Sequence, residues 1–157
     1  MMNRIIPGIL FFAVLLSGCS STQKEQPRQK SLSGNLEISK IWARPAGQGV
    51  NSAAYFTVYN GTTQADTLIA IASEDAANAE VHESYVTDEG LSGMRPAGIM
   101  AIPSGDSLAL KPGGFHVMLM GIKRELTAGD SIKLTLQFSR SGSKMISAGI
   151  RRQAASN

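Results

Sequence analysis

The sequence predicts an all-β protein, a sandwich or barrel of about eight or nine short strands. Three observations support this fold class. Short runs rich in β-branched and aromatic residues recur along the chain, turn residues separate them, and no window carries a sustained helical period. Sixteen glycines and six prolines in 157 residues supply the turns that such a fold needs.

The strands are predicted one by one from these runs and the turns between them. Pro112-Gly113-Gly114 and Ala128-Gly129-Asp130 are typical turn sequences. We expect residues 90–98 to be irregular because they are rich in glycine, and a short helical turn is compatible with residues 75–79. The runs that predict strands are residues 36–42, 53–59, 67–71, 79–86, 107–110, 115–120, 132–138 and 145–150.

The N-terminus is predicted to be a signal peptide over residues 1–18. Its apolar run, residues 5–16, is too short to span a bilayer as a mature helix and fits a signal-peptide core. The run ends in Leu16-Ser17-Gly18-Cys19, which resembles the lipobox of bacterial lipoproteins. That resemblance implies cleavage before Cys19, the only cysteine of the chain, and attachment of lipid to it. The alternative is an ordinary secretory signal followed by an incidental cysteine.

The remaining chain divides into three parts. Residues 19–34 are predicted to be the lipidated cysteine and a flexible polar tether, residues 35–150 one domain, and residues 151–157 a polar tail. We therefore expect an exported protein, anchored by lipid at the periplasmic face of a bacterial membrane. Ser20, rather than Asp, follows the predicted lipidated cysteine, and this favours the outer membrane.

Composition excludes several functions. The net charge is +3, but the basic residues are scattered, so nucleic-acid binding is not expected. If the cysteine carries lipid, the domain has no thiol for a disulfide, a thiolate ligand or a nucleophile. The sequence also has no paired-carboxylate motif and no nucleophile-elbow serine, so we do not expect an enzyme.

A histidine and methionine pattern on one predicted strand is the main candidate for chemistry. The chain has two histidines, His82 and His116. In residues 115–120, FHVMLM, alternation places the phenylalanine, valine and leucine on one face and His116, Met118 and Met120 on the other. Residues two apart on a strand are about 6.5–7 Å apart, so two such side chains can converge on one ion. Methionine also fills gaps in protein cores, and this alternative stays open for Met120.

These donor types point to copper. Imidazole and thioether suit Cu(I), whereas Ca²⁺ and Mg²⁺ need oxygen ligands and structural Zn²⁺ favours thiolates. A blue-copper electron-transfer site needs a cysteine ligand beside two histidines. The predicted domain has no cysteine, so we reject that kind of site.

The spacing of these residues resembles a known family. His82, Met94 and the pair His116-x-Met118 follow the His-(Met)-x10-Met-x21-His-x-Met signature of the periplasmic copper chaperones called PCuAC. The optional methionine after the first histidine is Glu83 here. The sequences WARP at 42–45 and KPGG at 111–114 also resemble that family, and the resemblance extends over residues 36–150.

The resemblance implies a cupredoxin-like Greek-key sandwich that binds one Cu(I) ion through His82, Met94, His116 and Met118. It further implies a copper chaperone that transfers the ion to a partner for assembly of the copper-A site of cytochrome c oxidase. The recipient would be the copper-A subunit of the oxidase or an SCO-type protein. Some members carry a second site in a His/Met-rich tail, but residues 151–157 contain neither residue type.

Two other functions remain open at this point. One is a metal-free lipoprotein that acts as an interaction or scaffold module, with the histidines and methionines as packing residues. The other is a periplasmic protein for copper storage or tolerance. Among residues near the pattern, Met120 is a candidate partner contact or reserve ligand, Trp42 is expected in the core, and Arg44 is expected to order a loop.

Overall fold

The structure, a computed structural model, describes residues 32–152. All regular structure in this range is β-strand, so the predicted fold class is confirmed. The ten strands exceed the expected number by one or two. They are β1 Leu36–Ala43, β2 Ser52–Asn60, β3 Asp66–Ala72, β4 Ala76–Val86, β5 Ser92–Pro96, β6 Met100–Ile102, β7 Ser107–Leu110, β8 Phe115–Ile122, β9 Ser131–Phe138 and β10 Gly142–Ile150.

Several predictions concern residues outside this range. The signal peptide, Cys19, most of the tether and the last five residues of the tail lie outside the described residues. Between residues 32 and 152, no helix is long and apolar enough to cross a membrane.

The strands form one hydrogen-bonded path, in the order β5-β4-β8-β2-β1-β10-β9-β3-β6, with β7 paired to β2. The β1–β10 pair is parallel, and the other pairs in this path are antiparallel. The path curves around one core, because Leu68 and Ile71 of β3 share the core cluster with Ala79 and Val81 of β4, which is far away along the path. This curvature gives a sandwich whose inner face forms the core and whose outer face points away from it.

The core is filled by the alternating residues of each strand. In β9, Ile132, Leu134, Leu136 and Phe138 are all buried, while the residues between them are exposed or half-buried. Period-two alternation of this kind is expected for a sheet with one face on the core. The largest fully buried side chains are Phe56, Phe138, Leu68, Ile102, Leu119, Ile122, Leu126, Ile132, Leu134, Leu136, Val58 and Val117.

The expectation of irregular structure at residues 90–98 is wrong, because β5 lies there and pairs with β4. The ring of Tyr85 on β4 covers Gly93, where an added Cβ would lie 2.6 Å from the ring. The guanidinium of Arg95 lies over the same ring at 5.2 Å and donates to the Glu83 carboxylate at 2.7 Å. These cross-strand contacts stabilise β5, although its glycine and proline are unfavourable in a strand.

The helical turn considered for residues 75–79 is also absent. Strand β4 begins there instead, with Ala76 paired to Ile122 and Ala79 paired to Leu119 of β8. The two alanines are buried in the core. Tertiary pairing with β8 therefore overrides the local preference of an alanine-rich segment.

Candidate metal centre

Strand β8 presents His116 and Met118 on the outer face of the sandwich. Val117 and Leu119, between and after them, are fully buried in the core, as alternation predicts. His116 is only 4% exposed although it lies on the outer face, and Met118 is half-buried. The outer face at this point is therefore covered by neighbouring side chains rather than open to water.

His82 lies directly opposite His116. The two residues are Cα partners in the antiparallel β4–β8 ladder, and their ring centroids are 6.2 Å apart with an interplanar angle of 51°. Directly opposite residues in such a ladder project on the same face. The structure thus brings together two histidines that are far apart in sequence and places both rings within reach of one ion.

Met94 lies on β5, at the edge of the path, and it pairs with Ser84. Because Ser84 is two residues after His82 on β4, Met94 lies on the same face as His82 and diagonal to it. The side chain is 56% exposed, in contrast to the buried His116. Met94 is therefore the most accessible of the four candidate ligands.

A cleft of about 490 Å³ lies on the outer face beside three of the four candidate ligands. Met94, His116 and Met118 line it, and Ala53, the β2 partner of Met118, supplies a small side chain at its floor. The other lining residues are Arg44, Pro45, Asn51, Ser52, Tyr55, Ser84, Pro112 and Gly113. His82 does not line the cleft and approaches His116 from the β4 side.

The backbone fixes the tautomer of His116. Its Nδ1 lies 3.0 Å from the carbonyl oxygen of Gly114, which can only accept a hydrogen bond. Nδ1 therefore carries the proton, and Nε2 keeps a free lone pair. The turn that presents this carbonyl needs glycine at Gly113, where φ is +76°, and it is closed by a bond from the Lys111 amide to the Phe115 carbonyl.

His82 has a carboxylate neighbour instead. Its Nε2 lies 3.4 Å from Oε2 of Glu80, at the long end of hydrogen-bond distance. The side-chain amide of Asn78 donates to Oε1 of the same carboxylate at 2.7 Å. Sequence analysis did not single out Glu80, although its position two residues before His82 on a strand indicates a shared face.

Aromatic side chains continue the outer face away from the cleft. The Tyr55 ring lies 6.5 Å from the His116 ring, and Trp42 stacks on Tyr55 at 4.4 Å. The guanidinium of Arg151 lies 5.3 Å from the centre of the Trp42 ring. Trp42 is buried, as expected, but it packs beside the candidate site rather than in the main core cluster. Tyr55 was missed because its contact with His116 depends on the register of two separate strands.

Met120 is set apart from the cleft. It pairs with Asn78 and is half-buried, one step further along β8 than Met118. It does not line the cleft. Arg44, which was expected only to order a loop, does line the cleft, and its carbonyl accepts the Ser52 hydroxyl at 2.7 Å.

The donor set of this face suits a soft monovalent ion. Two imidazoles and two thioethers are neutral ligands, and thioethers favour Cu(I). Among residues 32–152, no group of three or more histidine, cysteine, aspartate or glutamate side chains is placed to hold a metal. The carboxylate-rich sets that hard divalent cations require are therefore absent from the described part of the chain.

The fold is that of a cupredoxin-like domain of the PCuAC type, as the sequence resemblance implied. The family model described as “Putative lipoprotein LpqE-like” matches residues 36–150. The chain belongs to this LpqE-like family. Its sequence is 32% identical to “Putative lipoprotein Lxx21020” of Leifsonia xyli subsp. xyli, over 98% of this chain and 88% of the relative.

Solved structures of PCuAC domains share the fold. The solved structure of the “Apo PCuAC domain from PmoF1” matches with a TM-score of 0.62 and 26% identity, over 76% of this chain and 96% of that one. The solution structure of CuI-DR1885 from Deinococcus radiodurans matches with a TM-score of 0.56 and 27% identity, over 80% of this chain and 86% of that one. The expected cupredoxin-like fold is confirmed.

Proposed function

We propose that this protein is a copper chaperone that binds one Cu(I) ion through His82, Met94, His116 and Met118. The observation that carries the proposal is the pairing of His82 with His116 on one rung, with rings 6.2 Å apart. The two thioethers belong to the same outer face. Three of the four, Met94, His116 and Met118, line one cleft, where an ion can reach them.

The unequal exposure of the ligands favours transfer over permanent retention. His116 is buried and held by a backbone carbonyl, whereas Met94 is exposed on the edge strand. A partner that approaches from the β5 side reaches Met94 first and can replace it with a ligand of its own. The remaining ligands then hold the ion until the partner completes its coordination, so copper is never released into water.

We also propose that the protein is exported and anchored by lipid at Cys19, after removal of the signal peptide over residues 1–18. The tether over residues 19–34 would hold the domain, residues 35–150, near the periplasmic face of a membrane, with the outer membrane favoured. The lipobox-like sequence and the lipoprotein name of the relative support this proposal. The recipient proposed from the family resemblance is the copper-A subunit of cytochrome c oxidase or an SCO-type protein.

A Cu(I) titration against a competing chelator tests the binding proposal, combined with X-ray absorption at the copper edge. We expect one equivalent of tightly bound Cu(I), with both nitrogen and sulfur in the first coordination shell. If the protein takes no copper from the chelator, the chaperone proposal fails, and a metal-free interaction module is the better account.

A transfer assay separates delivery from storage. The copper-loaded protein is mixed with a copper-free copper-A domain, and the characteristic absorption of the assembled copper-A site is followed. Delivery predicts that this absorption grows faster than with an equal concentration of chelated Cu(I). If copper stays on the loaded protein, storage or tolerance is the better description of its role.

A further inference from the structure

We propose that Glu80 is a positioning residue, which fixes His82 in the tautomer protonated at Nε2. In consequence His82 binds copper through Nδ1, whereas His116 binds it through Nε2. This inference rests on the proposed copper site and adds the atoms that each histidine uses. The tautomer of each histidine can be tested in the metal-free protein.

The β4–β8 ladder places Glu80 beside the site. Asn78, Glu80 and His82 alternate along β4 and therefore project on one face. Glu80 is the Cα partner of Met118, on the rung next to that of the two histidines. Its carboxylate thus belongs to the outer face that carries the candidate ligands.

The hydrogen bond to Glu80 determines which ring nitrogen of His82 carries the proton. A carboxylate oxygen accepts and cannot donate, so the 3.4 Å contact between Glu80 Oε2 and His82 Nε2 is a hydrogen bond only when Nε2 carries the proton. The neutral ring then has its free lone pair on Nδ1. Asn78 restrains the carboxylate by donating to Oε1 at 2.7 Å, which leaves Oε2 for the histidine.

The two histidine rings are therefore protonated on different nitrogens. His116 is protonated on Nδ1 by its bond to the Gly114 carbonyl at 3.0 Å, so its free lone pair is on Nε2. In metal sites, the partner of the second ring nitrogen commonly selects the tautomer and orients the ring. A backbone carbonyl performs this role for one ring and the Glu80 carboxylate performs it for the other.

Glu80 acts through the histidine rather than on the metal. Its side chain is 45% exposed, whereas that of His82 is 14% exposed. In residues 32–152, no group of three or more histidine, cysteine, aspartate or glutamate side chains is placed to hold a metal. Loss of Glu80 should therefore weaken copper binding without removing a ligand.

Long-range proton–nitrogen correlation NMR on ¹⁵N-labelled protein tests this assignment, first without metal and then with Cu(I). We expect His82 protonated at Nε2 and His116 at Nδ1 in the metal-free protein, and copper-induced shifts at the other nitrogen of each ring. In Glu80→Ala, His82 should become a mixture of tautomers, and Cu(I) affinity should fall about 10-fold. His116 serves as an internal control because its carbonyl partner is unchanged.

Two further variants sharpen the test. Glu80→Gln leaves one acceptor oxygen for two donors, His82 and Asn78, so it should restore the tautomer and the affinity only in part. Glu125→Ala removes a carboxylate from an exposed loop residue and should change neither. If His82 is protonated at Nδ1 in the wild type, or if Glu80→Ala leaves its tautomer and affinity unchanged, the proposal is overturned while the copper site stands. If the tautomers are as expected but Cu(I) does not bind, the proposed function fails instead, and with it the assignment of the ligand atoms.

Discussion

Two polar side chains of this protein, Asp66 and His116, are buried to a similar degree but differ in how many hydrogen bonds they make. Asp66 is 2% exposed, and its carboxylate accepts four hydrogen bonds at 2.7–3.0 Å. The donors are the amides of Thr67, Arg140 and Ser141 and the hydroxyl of Ser139. His116 is 4% exposed, yet within residues 32–152 only its Nδ1 has a hydrogen-bond partner.

The difference separates a structural role from a binding role. Four donors saturate Asp66, which joins the start of β3 to the turn after β9 and has little capacity left for a ligand. The His116 ring is held at Nδ1 and keeps a lone pair at Nε2. The thioethers of Met94 and Met118, which are only weak hydrogen-bond acceptors, lie on the same outer face. A ring nitrogen that keeps its lone pair free beside a cleft is able to accept a metal ion.

Loss of His116 should give the largest effect on binding. In His116→Ala we expect Cu(I) affinity to fall by more than about 100-fold. Replacing a residue that only hydrogen-bonds to a ligand can already lower metal affinity by up to about 100-fold, and here the ligand itself is removed. The free energy of unfolding should fall by about 2–3 kcal/mol, because a buried ring that packs beside Tyr55 is lost, while the Gly114 carbonyl keeps its bond from the Ser84 amide at 3.2 Å. Chelator competition and urea unfolding measure the two quantities. Equal copper affinity in the variant would contradict the assignment of this histidine.

Asp66 should affect stability in a pH-dependent way and leave copper binding unchanged. Burial raises the pKa of Asp66, but the bonds from Ser141, Arg140, Thr67 and Ser139 outweigh it and lower the pKa from 3.8 to about 2. The folded pKa is below the unfolded one, so this stabilisation is complete above about pH 4 and is lost as the pH falls through 2. The loss should be about 2 kcal/mol.

Urea unfolding of the wild type and Asp66→Asn at pH values from 5 down to 2 measures this loss. The wild type should be more stable at pH 5, and the difference should narrow by about 2 kcal/mol at pH 2. A difference that stays constant with pH would show that the carboxylate charge is not the stabilising feature.

Met94 should contribute less to binding than His116 because its side chain is exposed and free to move. Replacement by leucine keeps the side-chain size and removes the thioether. We expect Met94→Leu to lower Cu(I) affinity about 10-fold and to speed loss of copper to a chelator, with no change in the unfolding free energy beyond about 0.5 kcal/mol. Stopped-flow transfer to the chelator gives the rate. An unchanged rate would mean that copper leaves the site from a side other than that of Met94.

The smallest predicted effect concerns the bulge in β1, which lies away from both clusters. Lys40 has a φ of +54°, and the β1–β2 register shifts between Ser39 and Trp42. Glycine adopts this conformation without strain, so Lys40→Gly should stabilise the protein by about 0.5 kcal/mol. Lys144→Gly, on an exposed strand position with ordinary φ, should destabilise it by about 0.5–1 kcal/mol. Thermal unfolding compares the two, and a destabilised Lys40→Gly would contradict the strain argument.

The local pattern of β8 predicted which side chains face the core, because alternation is a property of one strand. Val117 and Leu119 are in the core and His116 and Met118 are on the outer face, as expected. The contacts of Glu80 and Tyr55 were not predicted, since they depend on how β4 and β2 are aligned with β8. Alignment between distant strands is set by tertiary packing and is not encoded in either strand alone.

Strand β5 illustrates the same limit on predicting the fold. Gly93 and Pro96 are poor strand residues, and the segment becomes a strand because Tyr85 and Glu83 on β4 contact it. Met94 was nevertheless identified as a candidate ligand, through the family spacing rather than through secondary structure. The candidate residue Met94 could therefore be named from the sequence, whereas the strand that carries it could not be predicted.

The central claim is that the thioethers on the outer face bind copper, and a matched pair of methionine replacements tests it most directly. Met118 lines the cleft, whereas Met145 on β10 is 69% exposed and does not line it. Leucine at each position removes one sulfur and little volume. Chelator competition with Cu(I) should show an affinity at least about 10-fold lower for Met118→Leu and unchanged for Met145→Leu. Equal affinities for the wild type and both variants would contradict the account.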